Sequence, residues 1–254
     1  MPEPNQPVVI GAKPEGARDQ ESAARAVREM FTSIAPRYDL LNHVLSLNVD
    51  RLWWRRTARM FRHILAHPGA RILDLCCGTG DMAFALRHEA GKNSPQIFGA
   101  DFSHAMLQRA AAKSNAQTET APRWIEADAL RLPFSDSSFD FVTSAFGFRN
   151  LANYDAGLRE IYRVLRAGGE CGILDFGEPR GVMGGIYRFY FRQVLPRIGT
   201  LISGVRGPYA YLPASVERFP EPHEMLARMK AAGFAEVSWA PFTFGITGLY
   251  RGKK

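Results

Sequence analysis

The feature that most limits how this chain folds is a change of hydrophobic period near residue 71. Before it, apolar residues such as Val27, Met30, Phe31 and Ile34 recur at helical spacing, and a second helical stretch runs from about 45 to 65, with Pro36 breaking the pattern between them. After it, short apolar runs at 71–75, 96–100, 123–127, 139–145 and 170–176 alternate with helical segments at 82–90, 104–113 and 155–165. That alternation describes a parallel sheet covered on both faces. Gly168 and Gly169 read as a helix stop leading into the fifth strand. A helix near 221–232 and a final pair of strands complete the pattern.

A chain of 254 residues, 46% of them hydrophobic, has enough apolar surface for one α/β domain with additions. The expected organisation is a disordered tail over 1–20 and one domain over 21–254. Within that domain, 21–66 forms a helical lid region and 181–220 an insertion after the fifth strand. Three cysteines, Cys76, Cys77 and Cys171, provide neither a disulfide framework nor paired metal-ligand spacing, which points to a reducing compartment such as the cytoplasm. The first twenty residues hold no signal-peptide core, and no run of eighteen apolar residues occurs. A net charge of +7 suits nucleic acid and an anionic bilayer equally.

The segment Ile72-Leu-Asp-Leu-Cys-Cys-Gly-Thr-Gly-Asp81 joins the first strand to the first sheet helix. Gly78 and Gly80 permit a tight turn and close approach of backbone to a ligand, and Asp74 stands at its head. Asp101 ends the second strand, where a carboxylate can accept from two ribose hydroxyls; Asp128 follows the third strand, with Ala129 beside it, where an adenine amino group can be received. Each acid alone could merely cap a helix. Together they line one nucleoside-shaped crevice. The loop lacks the full G-x-G-x-x-G spacing that cradles a pyrophosphate, which disfavours NAD and favours S-adenosylmethionine (SAM).

Four separated segments then resemble one family, the ubiquinone/menaquinone biosynthesis C-methyltransferases of the UbiE/MenG type. They are Met30-Phe-Thr-Ser-Ile-Ala-Pro-Arg-Tyr-Asp-Leu-Leu-Asn42 with Asp50-Arg51 and Trp54-Arg55-Arg56, the Asp74–Asp81 loop, Phe146-Gly-Phe-Arg-Asn150, and Tyr162 to Gly169 with Asp175-Phe176. The resemblance runs from about residue 28 to the end. It implies a class I SAM-dependent methyltransferase fold, α/β and Rossmann-like with seven strands, extended by N-terminal helices and a helical insertion after strand 5. It assigns SAM contacts to Thr79, Asp101, Asp128 and Ala129. Ala145 stands where part of the family has a cofactor-contacting serine, and Ser144 is expected on the opposite strand face.

The same resemblance implies C-methylation of a prenylated quinol, 2-demethylmenaquinol first and the benzoquinol of ubiquinone synthesis second. Arg149 and Asn150 are expected beside the quinol oxygen, with a structural ion pair for Arg149 and a helix cap for Asn150 as the other readings. Tyr38 and Asp39 are expected in a lid over the cofactor, with Tyr38 a third catalytic candidate through its ring and hydroxyl, or else in helix packing and capping. His43 is a further conceivable base. The insertion mixes Ile186, Tyr187, Phe189 and Tyr190 with Arg188, Arg192, Arg197 and Arg206, which suits either a peripheral contact with the inner face of the membrane or a lid or homodimer surface. No metal is expected, for want of ligand spacing. Nucleic acid is not expected as substrate either, since no Asn-Pro-Pro-aromatic segment follows the fourth strand. The acids together with Arg149 and Asn150 disfavour a noncatalytic SAM-binding protein.

Overall fold

A computed structural model describes residues 10–39, 46, 48–93, 95–114, 121–177, 179, 184–185, 189–190, 193, 197 and 208–254. Seven strands form one sheet: β1 (Arg71–Leu75), β2 (Gln96–Asp101), β3 (Arg123–Glu126), β4 (Phe139–Ala145), β5 (Leu165–Phe176), β6 (Ala235–Phe242) and β7 (Thr247–Lys253). Their order is β3-β2-β1-β4-β5-β7-β6. The first five run parallel, while β7 is antiparallel to both β5 and β6. Strand order reverses between β1 and β4, and ligands of open α/β sheets bind in the crevice beyond the carboxyl ends at such a point.

The helices are α1 (Gln20–Ile34), α2 (Val49–Met60), α3 (Arg62–Leu65), α4 (Asp81–Ala90), α5 (His104–Lys113), α6 (Tyr154–Val164), α7 (Pro208–Arg218) and α8 (Pro222–Ala231). Alternation along each strand divides the core in two. Leu73, Leu75 and Phe139 face Leu158 and Ile161 of α6 and Met225 and Met229 of α8. Ile72, Phe141 and Leu174 face Trp54, Phe61 and Leu65 of the N-terminal helices and Leu86 of α4. Phe61 is fully buried against Phe141, ring centroids 4.1 Å apart, and lies so close to Gly172 that a β-carbon there would come within 2.7 Å of its ring. The N-terminal helices thus share the sheet's core.

Three sequence expectations change. The first is the helix stop: α6 ends at Val164, and β5 begins at once with Leu165. Gly168 and Gly169 lie inside β5, where the amide of Gly168 donates to Lys254 O at 2.7 Å and that of Lys254 returns to Gly169 O at 2.9 Å. The pairing with β4 skips from Phe139↔Leu165 to Phe141↔Glu170, so the glycines serve a bulge rather than a cap. Second, the expected tail is packed over its described part: Ala12 donates to Leu151 O at 2.8 Å, Ala17 is buried beside Ala23 and Ala152, and Asp19 caps α1 through a capping box. Third, β3 stops at Glu126, one residue short. Most of the insertion over 181–220 lies outside the described residues; its last part is α7.

Truncating the shared aromatic contact tests this layering. Phe61→Ala should lower unfolding free energy by about 3–5 kcal/mol, as for other buried aromatics; a denaturant titration showing a loss below about 1 kcal/mol would detach the N-terminal helices from the core.

Candidate active site

The loop after β1 turns on left-handed backbone at Cys76, Gly78 and Gly80, with φ of 54°, 53° and 87°. Glycine is required at Gly80, because a β-carbon there would also come within 2.4 Å of the Trp124 ring. Asp101, at the carboxyl end of β2, fixes the loop: one carboxylate oxygen accepts from the Gly78 amide at 2.8 Å and the other from the Ser103 amide at 2.9 Å. Burial pushes the Asp101 carboxyl up to about 6, against the lowering effect of these amides. Each oxygen retains acceptor capacity for a ligand hydroxyl.

Asp74 is fully buried, with neither carboxylate oxygen in a well-formed hydrogen bond. Burial pushes its pKa well above the ordinary carboxylate range, with the Ala83 amide opposing and the Asp101 and Asp81 carboxylates reinforcing. A cationic or N–H donor ligand would satisfy it. Asp128 accepts from the Leu130 amide at 2.9 Å and stays exposed, next to buried Ala129.

Thr79 joins a network that sequence reading missed. Its hydroxyl donates to Asp39 at 2.5 Å and accepts from Lys113 Nζ at 2.9 Å, while Lys113 pairs with Asp39 at 2.8 Å and Asp81 at 3.0 Å. Tyr38 lies above the loop, its ring 3.8 Å from where a β-carbon on Gly78 would be, with Phe31 edge-on beside it. Tyr38 and Asp39 therefore both lie against the glycine loop. His43 lies outside the described residues.

A cavity of about 380 Å³ joins these groups to the ends of β4 and β5. Its far wall is aromatic: Phe146 packs on Phe176 at 4.6 Å between centroids, and Trp53 lies 5.8 Å from Phe146 and 6.3 Å from Phe176. Sequence reading did not place this trio, because its members come from three elements distant in sequence. Arg149 and Asn150 border the same cavity.

The guanidinium of Arg149 meets its structural alternative. It is buried, its Nη1 pairs with fully buried Asp175 at 2.9 Å and also donates to Phe146 O, and it lies over the Phe176 ring. A buried guanidinium requires such a counter-ion. The pair leaves Nε, itself buried, without a hydrogen-bond partner. Asn150 caps no helix; its amide nitrogen reaches Phe146 O at 3.4 Å and its oxygen accepts from Tyr211 of α7 at 3.1 Å. Burial pushes the Tyr211 hydroxyl up to about 12, so it remains a donor. Ser144 is buried with its hydroxyl unpartnered, whereas Ala145 lines the cavity.

Breaking the pair from one side should be costly. Asp175→Asn strands the Arg149 charge and should cost about 3–5 kcal/mol, and Arg149→Met in the same chain should recover much of it. Chemical denaturation of the single and double variants checks this; equal stability of Asp175→Asn and wild type would remove the pair's structural role.

Comparison with known proteins gives these features a family. The chain is 49% identical to a demethylmenaquinone methyltransferase of Deinococcus radiodurans, over 93% of this chain and 95% of that protein. It is 48% identical to one of Thermus thermophilus, over 89% of this chain and all of that protein. It is 42% identical to a ubiquinone/menaquinone biosynthesis C-methyltransferase, UbiE, of Geobacter sulfurreducens, over 90% and 88% of the two chains. Solved structures share the fold at low identity. A SAM-dependent methyltransferase of Thermotoga maritima superposes with TM-score 0.61 at 18% identity, over 89% of this chain and 99% of that one. The cyclase SpnF gives 0.67 at 18%, over 96% and 98%. The second neighbour shows that this fold does not dictate one reaction. The ubiE/COQ5 methyltransferase family matches residues 18–254, and this chain belongs to it.

Proposed function

We propose that this chain methylates a ring carbon of a prenylated hydroquinone, converting 2-demethylmenaquinol to menaquinol. The observation that carries the reading is the single cavity in which an acid-lined end beyond β1, β2 and β3 opens onto an aromatic wall beyond β4 and β5. The relatives' names supply the substrate class, and the two at 48–49% identity bear the demethylmenaquinone name. The benzoquinol of ubiquinone synthesis is the second reading, supported by the relative named for both pathways.

SAM supplies an activated methyl group on a sulfonium sulfur. The residues fit it: Asp101 would accept from the ribose hydroxyls, Asp128 and Ala129 would receive the adenine edge, and the unsatisfied Asp74 carboxylate and Thr79 would suit the charged amino-acid end. Gly78 and Gly80 keep side chains out of the loop that the cofactor must approach. Tyr38 and the Asp39–Lys113–Thr79 network close the N-terminal segment over that loop and limit access of water.

Trp53, Phe146 and Phe176 hold the flat quinol ring, so that alignment of its carbon lowers the barrier. Arg149, anchored to Asp175 through Nη1, keeps other N–H donors for a quinol oxygen and lowers the pKa of its hydroxyl. Ionisation of that hydroxyl to solvent would enrich the ring carbon, which would take the methyl as the carbon–sulfur bond breaks and S-adenosylhomocysteine leaves; the methylated carbon would then give its own proton to solvent and restore aromaticity. Asn150, oriented by Tyr211, contacts the ring substituents. Arg149 is not the proton acceptor, because guanidinium stays protonated.

The test is transfer of labelled methyl to reduced, short-prenyl demethylmenaquinol beside the benzoquinol analogue. Label should enter the naphthoquinol ring and vanish in Asp101→Ala. Tyr211→Phe should retain cofactor binding while lowering turnover by about tenfold, the scale of one lost orienting hydrogen bond. SAM binding without transfer to either quinol would overturn the substrate reading.

A further inference from the structure

Every exposed position of α2 falls on one face, and that face reads Arg51, Leu52, Arg55, Arg56, Arg59. Arg62 continues it on α3. Arg59 and Arg62 pair with Glu89, but no carboxylate pairs with Arg51, Arg55 or Arg56 among the described residues. A solvated helix face ordinarily mixes acids with bases and leaves out leucine. Here Leu52, 59% exposed, stands among arginines.

The turn between β6 and β7 adds a second observation. Phe244 is 77% exposed, and the backbone holds it out at φ 57°, following Thr243 at φ 46°. Both are left-handed conformations that a bulky or β-branched residue rarely adopts. A fully packed side chain could offset that strain; an exposed phenylalanine gains nothing from it within the monomer. The turn and the helix are fastened together. Trp53 Nε1 donates to Thr243 Oγ1 at 2.8 Å, and the Arg56 guanidinium lies 4.0 Å over the Phe242 ring. Leu52 and Phe244 are thus each one residue from this bond. The same stretch supplies Val49, Trp53, Thr243 and Ile246 to the wall of the cavity, so the basic and apolar surface borders its rim.

We infer that the exposed face of α2 and the Phe244 turn form a docking surface for an anionic phospholipid bilayer. Guanidinium groups meet lipid phosphates, while Leu52 and Phe244 enter the interfacial layer, the pairing of basic and apolar groups that interfacial anchors use. The cavity rim then sits at headgroup depth, where a substrate with a prenyl tail can enter without leaving the bilayer. That last role rests on the quinol reading; the lipid surface rests on its own observations. No helix among the described residues is long and apolar enough to cross a membrane.

Co-sedimentation with phosphatidylglycerol and with phosphatidylcholine vesicles tests the surface directly. The protein should bind the anionic vesicles in a salt-sensitive manner and the zwitterionic ones weakly. Arg51→Glu with Arg55→Glu should lower the partition coefficient at least about tenfold. Phe244→Asn should also weaken binding yet keep or raise the melting temperature, because asparagine tolerates the left-handed backbone. Both variants should retain methyl transfer to a short-tailed quinol supplied without lipid. Equal binding to both vesicle types, or wild-type partitioning by the variants, would overturn the surface. So would retention by an RNA duplex that phosphatidylglycerol fails to displace. Vesicle binding without transfer to any quinol would leave the surface standing and remove the quinol reading; transfer without vesicle binding would do the reverse.

Discussion

The carboxylate of Asp101 holds two backbone segments at once, the glycine loop after β1 through Gly78 and the start of α5 through Ser103. Its burial is unfavourable for a charged group, and the amides that oppose this cost are the ones that shape the cofactor crevice. Remove the carboxylate and the left-handed turn at Gly78 loses its anchor on β2. Thr79 then loses its fixed position in the network with Asp39 and Lys113, and Tyr38 loses the loop it covers. The N-terminal segment, the loop and two parallel strands are therefore coupled through one side chain.

The other end of the cavity is organised around a buried charge too, but by ion pairing instead of backbone amides. The β4–β5 register, in which Ala145 lies opposite Leu174, brings Asp175 next to the turn after β4, and Arg149 folds back onto it. This pairing stiffens the segment that presents Asn150 and spends most of the positive charge within the protein. Arg149 and Asn150 border the cavity there, beside the aromatic wall. Such a site holds a neutral or singly ionised quinol ring better than a polyanion.

Much of this was legible in the sequence, for local reasons. The strands were visible because parallel strands buried on both faces are continuous apolar runs, and the crevice acids Asp101 and Asp128 because each stands at or just past the end of such a run. Gly168 and Gly169 misled because a glycine pair after a helix resembles a stop signal; their true role depends on Lys254, a partner eighty-five residues away that no local pattern reveals. Trp53, Lys113, Phe176 and Tyr211 went unassigned for the same reason. Each reaches the cavity or the glycine loop only through packing between elements remote in sequence. Arg149 was found by its motif, but its commitment to Asp175 follows from strand register.

The central claim is that ionised Asp101 both shapes the crevice and accepts from the cofactor's hydroxyls. Calorimetric titration of SAM into wild-type and Asp101→Asn protein across about pH 5 to 8 tests it most directly, because protonation replaces an acceptor with a donor. With the folded pKa near 6, wild-type affinity should fall as the pH drops through that value. The Asn variant should bind more weakly and without that transition; the same pH dependence in both proteins would contradict the account.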